Sequence, residues 1–121
     1  MRFQDKVVIV TGACGGIGTK AVEAFLEEGA LVLASDLSLE QLEQLTKDFN
    51  TSRLITLAGD VSKSSTHLSL VETAVKNFGG LDIALNNAGI SHDVAKLPLI
   101  EEEVARRVLD VDLMAVFLAM R

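Results

Sequence analysis

A chain of 121 residues, 49% hydrophobic and 23% charged, can bury one substantial core and is too short for two ordinary domains, so residues 1–121 are expected to form one. The net charge of −6, with acids and bases interspersed, argues against a nucleic-acid partner, because phosphate backbones need a basic face. The lone Cys14 excludes an internal disulfide, His67 and His92 lack the neighbours of a metal site, and no apolar run approaches the ~20 residues of a membrane span, which together suggest a soluble cytoplasmic protein without a membrane partner.

In chain order, short β-branched runs alternate with longer stretches of helical periodicity, the rhythm of parallel βαβ units. Val7 to Val10 is continuously apolar, as in a strand buried on both faces, and ends at Thr11-Gly12. A helix from about Gly16 to Glu28 is expected to bury Ile17, Ala21 and Phe25, with Val22 and Leu26 beside them, and to stop at Gly29. Leu31 to Ala34 reads as the second strand. Ser38 and Gln41 form a capping box opening a helix whose Leu42, Leu45 and Phe49 point inward.

Leu54 to Leu57 is the third strand, followed by a helix capped by Ser62, with an apolar stripe of Leu68, Val71, Val75 and Phe78, ending at Gly79-Gly80. Ile83 to Leu85 is the fourth strand. Beyond Pro98 a last helix begins with Glu101, Glu102 and Glu103 at its positive end, and after Val108 it is apolar on nearly every side, so something should cover it. Right-handed crossovers give the strand order 3-2-1-4, an incomplete doubly wound α/β sheet of the Rossmann type, with its ligand crevice at the carboxyl ends of strands one and four.

Thr11-Gly12-Ala13-Cys14-Gly15-Gly16-Ile17-Gly18 lies between a strand and a helix, where glycines permit a tight turn and let backbone N–H groups approach a pyrophosphate. Asp36 closes the second strand, where a carboxylate can accept both hydroxyls of an adenosine ribose and repel a 2′-phosphate; its plainer reading is a helix cap. Gly15 and Leu37 stand where a basic side chain would pair with that phosphate, so NAD is the expected cofactor. Cys14, near a helix N-terminus, is read as a small loop residue before a reactive thiol. His92 and Asp93 read as solvated loop.

The spacing of these glycines, Asp60-Val61 after strand three and Asn86-Asn87-Ala88-Gly89 after strand four resembles the short-chain dehydrogenase/reductase family, over nearly the whole chain. The resemblance implies NAD(H) contacts from Gly12, Cys14, Gly15, Gly16, Ile17, Gly18, Asp36, Leu37, Asp60, Val61, Asn87, Ala88 and Gly89, with Asp60-Val61 at the adenine and the asparagines steadying the sheet. It also implies an alcohol or carbonyl substrate and catalysis by a serine and a Tyr-x-x-x-Lys pair. The sequence has no tyrosine, so the chain alone is expected to be inactive and its chemistry completed by a missing half.

Where the family resemblance calls for an asparagine, Val111-Asp112-Leu113 has an aspartate, which puts a proton relay there in doubt. Its plainer role is a carboxylate bonded to backbone. Two other readings stand beside the oxidoreductase: a non-catalytic NAD-binding module, and a relic fragment that homo-oligomerises through the last helix and the open edge of strand four.

Overall fold

The computed structural model describes residues 1–121. Four parallel strands, β1 (Val7–Thr11), β2 (Leu31–Asp36), β3 (Leu54–Ala58) and β4 (Ile83–Leu85), make one sheet in the order β3-β2-β1-β4. Val8 pairs with Val32 on one side and Ile83 on the other, and Ala34 with Thr56. The chain therefore winds outward from β1 through β2 to β3 and then crosses to the opposite side of β1, creating a topological switch point between β1 and β4. This is the Rossmann-like order expected from the alternation of elements.

Strand alternation sends neighbouring residues to opposite faces. Val8, Val10, Val32, Ala34 and Leu54 pack with Val22 of α1 (Gly16–Glu27) and with Leu42 and Leu45 of α2 (Leu39–Phe49). Val7, Ile9 and Leu33 face Leu70 and Ala74 of α3 (Ser64–Phe78). With both faces covered, the central strands need apolar residues at every position, and all of β1 is buried. After Leu85 the chain passes through a 3-10 turn at Leu97–Leu99 into α4 (Glu102–Leu109), a π-helical turn (Asp110–Met114) and α5 (Ala115–Met120). No helix is long and apolar enough to cross a membrane.

Several expectations need correction. Ile17 is 77% exposed, because in the first turn of α1 it is Gly18 that packs against the backbone of Gly12 and Ala13; Gly18 and Val22 carry the buried face instead. Of the stripe expected on α3, only Phe78 packs against the core. Leu68, Val71 and Val75 are exposed, while Leu70 and Ala74 are buried, the small Ala74 letting the helix approach the sheet. Ser62 is not its cap: the helix starts at Ser64 after Lys63, because Asp60 captures both the N–H and the hydroxyl of Ser62. Of the capping box at Ser38, only the bond from the Gln41 N–H to Ser38 Oγ is formed, at 3.2 Å.

Candidate functional site

A cleft of about 440 Å³ opens at the carboxyl ends of the strands, the size range of small-molecule sites. Its floor is the β1–α1 loop. Gly12 turns the chain at φ +63°, and a Cβ there would lie 2.8 Å from Ala88 Cα. Gly18 sits so close to the loop that a Cβ would meet the Gly12 carbonyl oxygen at 1.9 Å. The two glycines thus let α1 and the segment after β4 close on one turn.

The N-terminus of α1 is left open. Its N-cap is Gly15, no side chain caps it, and no acid occupies its first turn. The N–H groups at Gly16, Ile17 and Gly18 therefore lack intrahelical acceptors, and around Gly16 a Cβ would find only open space. Such an end holds an anionic group by backbone donors and by the helix dipole. The local geometry fits the phosphates of a dinucleotide.

At the end of β2, Asp36 Oδ2 accepts the Cys14 N–H at 2.9 Å and Oδ1 accepts the Leu37 N–H at 2.7 Å. These bonds orient the carboxylate and leave each oxygen further acceptor capacity. Asp36 and the exposed Leu37 line the cleft, whereas Cys14 packs against the core beside α1 and contributes its N–H to Asp36. Burial and then the Asp36 charge push the Cys14 thiol up, the opposite of an activated nucleophile.

The β4 side is fixed to β1. Asn87 donates its Nδ2 hydrogens to the carbonyls of Thr11 (3.1 Å) and Gly12 (3.3 Å), and the N–H groups of Asn87 and Ala88 converge on Thr11 Oγ at 3.1 and 3.2 Å. Asn87, Ala88, Gly89 and Ile90 line the cleft; Asn86 lies off it. Asp112, in the π-helical turn, accepts the Ile90 N–H at 2.8 Å, so it is a carboxylate bonded to backbone. His92 and Asp93 remain on an exposed loop.

Beyond β3, Gly59, Asp60 and Val61 complete the wall, and Arg107 of α4 joins them. Asp60 Oδ1 accepts the Ser62 N–H (3.0 Å) and hydroxyl (2.8 Å), while Arg107 reaches Ser62 Oγ at 3.0 Å and Asp60 Oδ2 at 3.4 Å. Burial pushes the Asp60 carboxyl up, but the Ser62 bonds and the Arg107 guanidinium outweigh it and hold the group below the usual aspartate range. Gly59, Ile90, Arg107 and Val111 escaped sequence reasoning: Gly59 and Ile90 adjoin motif residues without a chemical signal of their own, and nothing in the local pattern of α4 and the π-helical turn marks the residues that reach the cleft.

Comparison with known proteins agrees with this geometry. Residues 6–121 match the short chain dehydrogenase family. Over 119 residues the chain is 36% identical to a 3-oxoacyl-(acyl-carrier-protein) reductase of Thermotoga maritima, covering 97% of this chain and 48% of that protein. A short-chain dehydrogenase/reductase of Brucella melitensis, described as a glucose/ribitol dehydrogenase, superposes with a TM-score of 0.94 at 27% identity, over 99% of this chain and 51% of its own. A 3-ketoacyl-(acyl-carrier-protein) reductase of the same organism, solved with NADH, gives 0.93 at 32% identity, over 98% and 48%. The chain spans about half the length of the relatives it matches. On its motifs, its sheet and these likenesses, it belongs to the short chain dehydrogenase family.

Proposed function

We propose that this chain is the NAD(H)-binding portion of an oxidoreductase that interconverts an alcohol and a carbonyl compound. The observation that carries the reading is the convergence, at the switch point, of an uncapped helix N-terminus, the oriented Asp36 carboxylate, the Asp60–Val61 wall and the Asn87–Gly89 segment around one cleft. In this reading Gly12, Gly15, Gly16, Ile17 and Gly18 cradle the pyrophosphate. Asp36, beside Leu37, accepts from the ribose hydroxyls on the acceptor capacity that the Cys14 and Leu37 N–H groups leave. Asp60 and Val61 meet the adenine, and Ala88 and Gly89 pass close to the second ribose while Asn87 holds them in place.

When bound, the nicotinamide supplies hydride transfer to or from the substrate carbon. In this reading the residues of this chain bind and orient, and the tyrosine that the family resemblance implies as proton carrier is not among residues 1–121. Relatives named as reductases and dehydrogenases of alcohols and ketones support the reaction class.

NAD is favoured over NADP because Asp36 would face a 2′-phosphate, no basic residue stands at Gly15 or Leu37, and Arg107 is engaged by Ser62 and Asp60. Calorimetric titration tests both points. NAD is expected to bind at least about tenfold more tightly than NADP, the scale of one repelled charge at close range. Equal or tighter NADP binding rejects the preference, and no binding of either to folded protein rejects the function.

The apolar surface of α4 to α5, with Leu109, Leu113 and Phe117 more than half exposed, is proposed to dock a second copy of the chain. A monodisperse monomer in sedimentation at all concentrations would reject that docking.

A further inference from the structure

The two oxygens of Asp60 are unequally engaged. Oδ1 takes both donors of Ser62, whereas Oδ2 meets only Arg107 Nη2 at 3.4 Å, a long contact that leaves most of its acceptor capacity open. The firm bond of Arg107 lies elsewhere, from Nη1 to Ser62 Oγ at 3.0 Å. The Ser62 hydroxyl therefore accepts from Arg107 and donates to Asp60, and the three side chains form a relay polarised in one direction. Both ends of it, Asp60 and Arg107, line the cleft. The same loop is pinned from beneath by His67 of α3, whose Nε2 lies 2.7 Å from the Val61 carbonyl oxygen.

We infer that Arg107 is a positioning residue for the cofactor's base: through Ser62 it presents Asp60 Oδ2 to the cleft, and so selects a base edge that donates an exocyclic amino hydrogen over one that offers a carbonyl. This rests on the cofactor reading above and names what sets base selectivity in it. An ionised carboxylate only accepts, so a base carrying oxygen at that position meets acceptor against acceptor. The guanidinium is suited to the task because its planar fork spans two acceptors at once. A lysine would put a rotatable point charge there, without the planar fork that holds two donors in fixed directions toward Ser62 Oγ and Asp60 Oδ2.

The test is calorimetric titration of the folded 121-residue chain with NAD and with nicotinamide hypoxanthine dinucleotide, which carries a carbonyl oxygen in place of the adenine amino group. The parent chain is expected to prefer NAD by about tenfold or more, the worth of one hydrogen bond to a charged acceptor. Arg107→Met, Arg107→Lys and Ser62→Ala are each expected to bring the ratio within about threefold, chiefly by weakening NAD. A structural role alone would weaken both dinucleotides in proportion. That result, or an unchanged ratio in the variants, overturns the inference. Circular dichroism checks folding, and if an Arg107 variant fails to fold, Ser62→Ala carries the decision. Equal binding of the two dinucleotides by the parent overturns this inference alone, whereas binding of neither overturns the cofactor reading with it.

Discussion

Replacing Gly18 and Gly16 separately by alanine distinguishes the two tasks of the β1–α1 loop. At Gly18 the added Cβ would lie 1.9 Å from the Gly12 carbonyl oxygen, 2.7 Å from Gly12 C and 2.9 Å from Ala13 Cα, all backbone atoms. Ordinary contact needs a separation larger by about 1.5 Å, and backbone inside a packed turn cannot yield that much locally, so α1 must lift from the sheet and disturb Val22 in the core. The cost is expected at or above the upper end for overpacking, about 3 kcal/mol, or a fall in Tm on the order of 10 °C for a chain of this size.

Gly16 offers the control: nothing lies within 4 Å of its added Cβ, so Gly16→Ala should fold with stability within about 0.5 kcal/mol of the parent. Gly16 nevertheless lines the cleft, and an added methyl is expected to crowd the phosphates there and weaken NAD by about tenfold or more. Urea and thermal unfolding measure the first effect and calorimetry the second. A Gly18→Ala chain as stable as the parent, or a Gly16→Ala chain destabilised to the same degree as Gly18→Ala, would refute the close-approach argument.

Thr11→Val should destabilise by about 1–3 kcal/mol, because the Ala88 N–H loses its only acceptor while the Asn87 N–H retains the Leu85 carbonyl at 3.0 Å; Thr11→Ser should recover most of it in urea unfolding. On α3, Leu70→Ala is expected to cost about 2–5 kcal/mol and the exposed Leu68→Ala no more than about 0.5 kcal/mol, and the reverse order in thermal denaturation would restore the stripe expected from periodicity. Asp82 accepts the Val7 N–H at 2.8 Å, and that bond, opposed by desolvation and aided by Lys6, lowers its pKa. A carboxyl lowered in the folded state stabilises above its unfolded pKa of about 4 and loses that contribution as pH falls through the folded value. Asp82→Asn should therefore flatten the decline of stability below pH ~4 in acid titrations of urea unfolding, and an unchanged slope would remove Asp82 from that account.

Much of the fold and the cleft was legible because a parallel sheet writes itself into local sequence. Strands buried on both faces must be continuously apolar, as Val7 to Val10 is, and each loop at a carboxyl end follows its strand directly. The Gly12–Gly18 loop, Asp36, Asp60 and Asn87 could thus be assigned to one edge of the sheet before any contact was known, and the cleft gathers them. The helix faces were less legible. On α3 two stripes compete, and periodicity cannot tell the side taken by Leu70 and Ala74 from the side of Leu68, Val71 and Val75.

Arg106 and Arg107 mark the limit most clearly. Side by side on α4, they differ by one residue and about 100° around the helix. Arg106 pairs with Glu102 one turn earlier in solvent, whereas Arg107 reaches Ser62 and Asp60 across the cleft. Sequence by itself determined the strand order, the switch point and the residues at the strand ends, since these follow from local hydrophobicity and the handedness of crossovers. Only the tertiary structure decided that Ser62 serves Asp60 instead of a helix, that Asp112 holds Ile90, and that Arg107 enters the cleft. Each of those depends on how a helix docks against a loop distant in the chain, a rotation and a distance that no local pattern encodes.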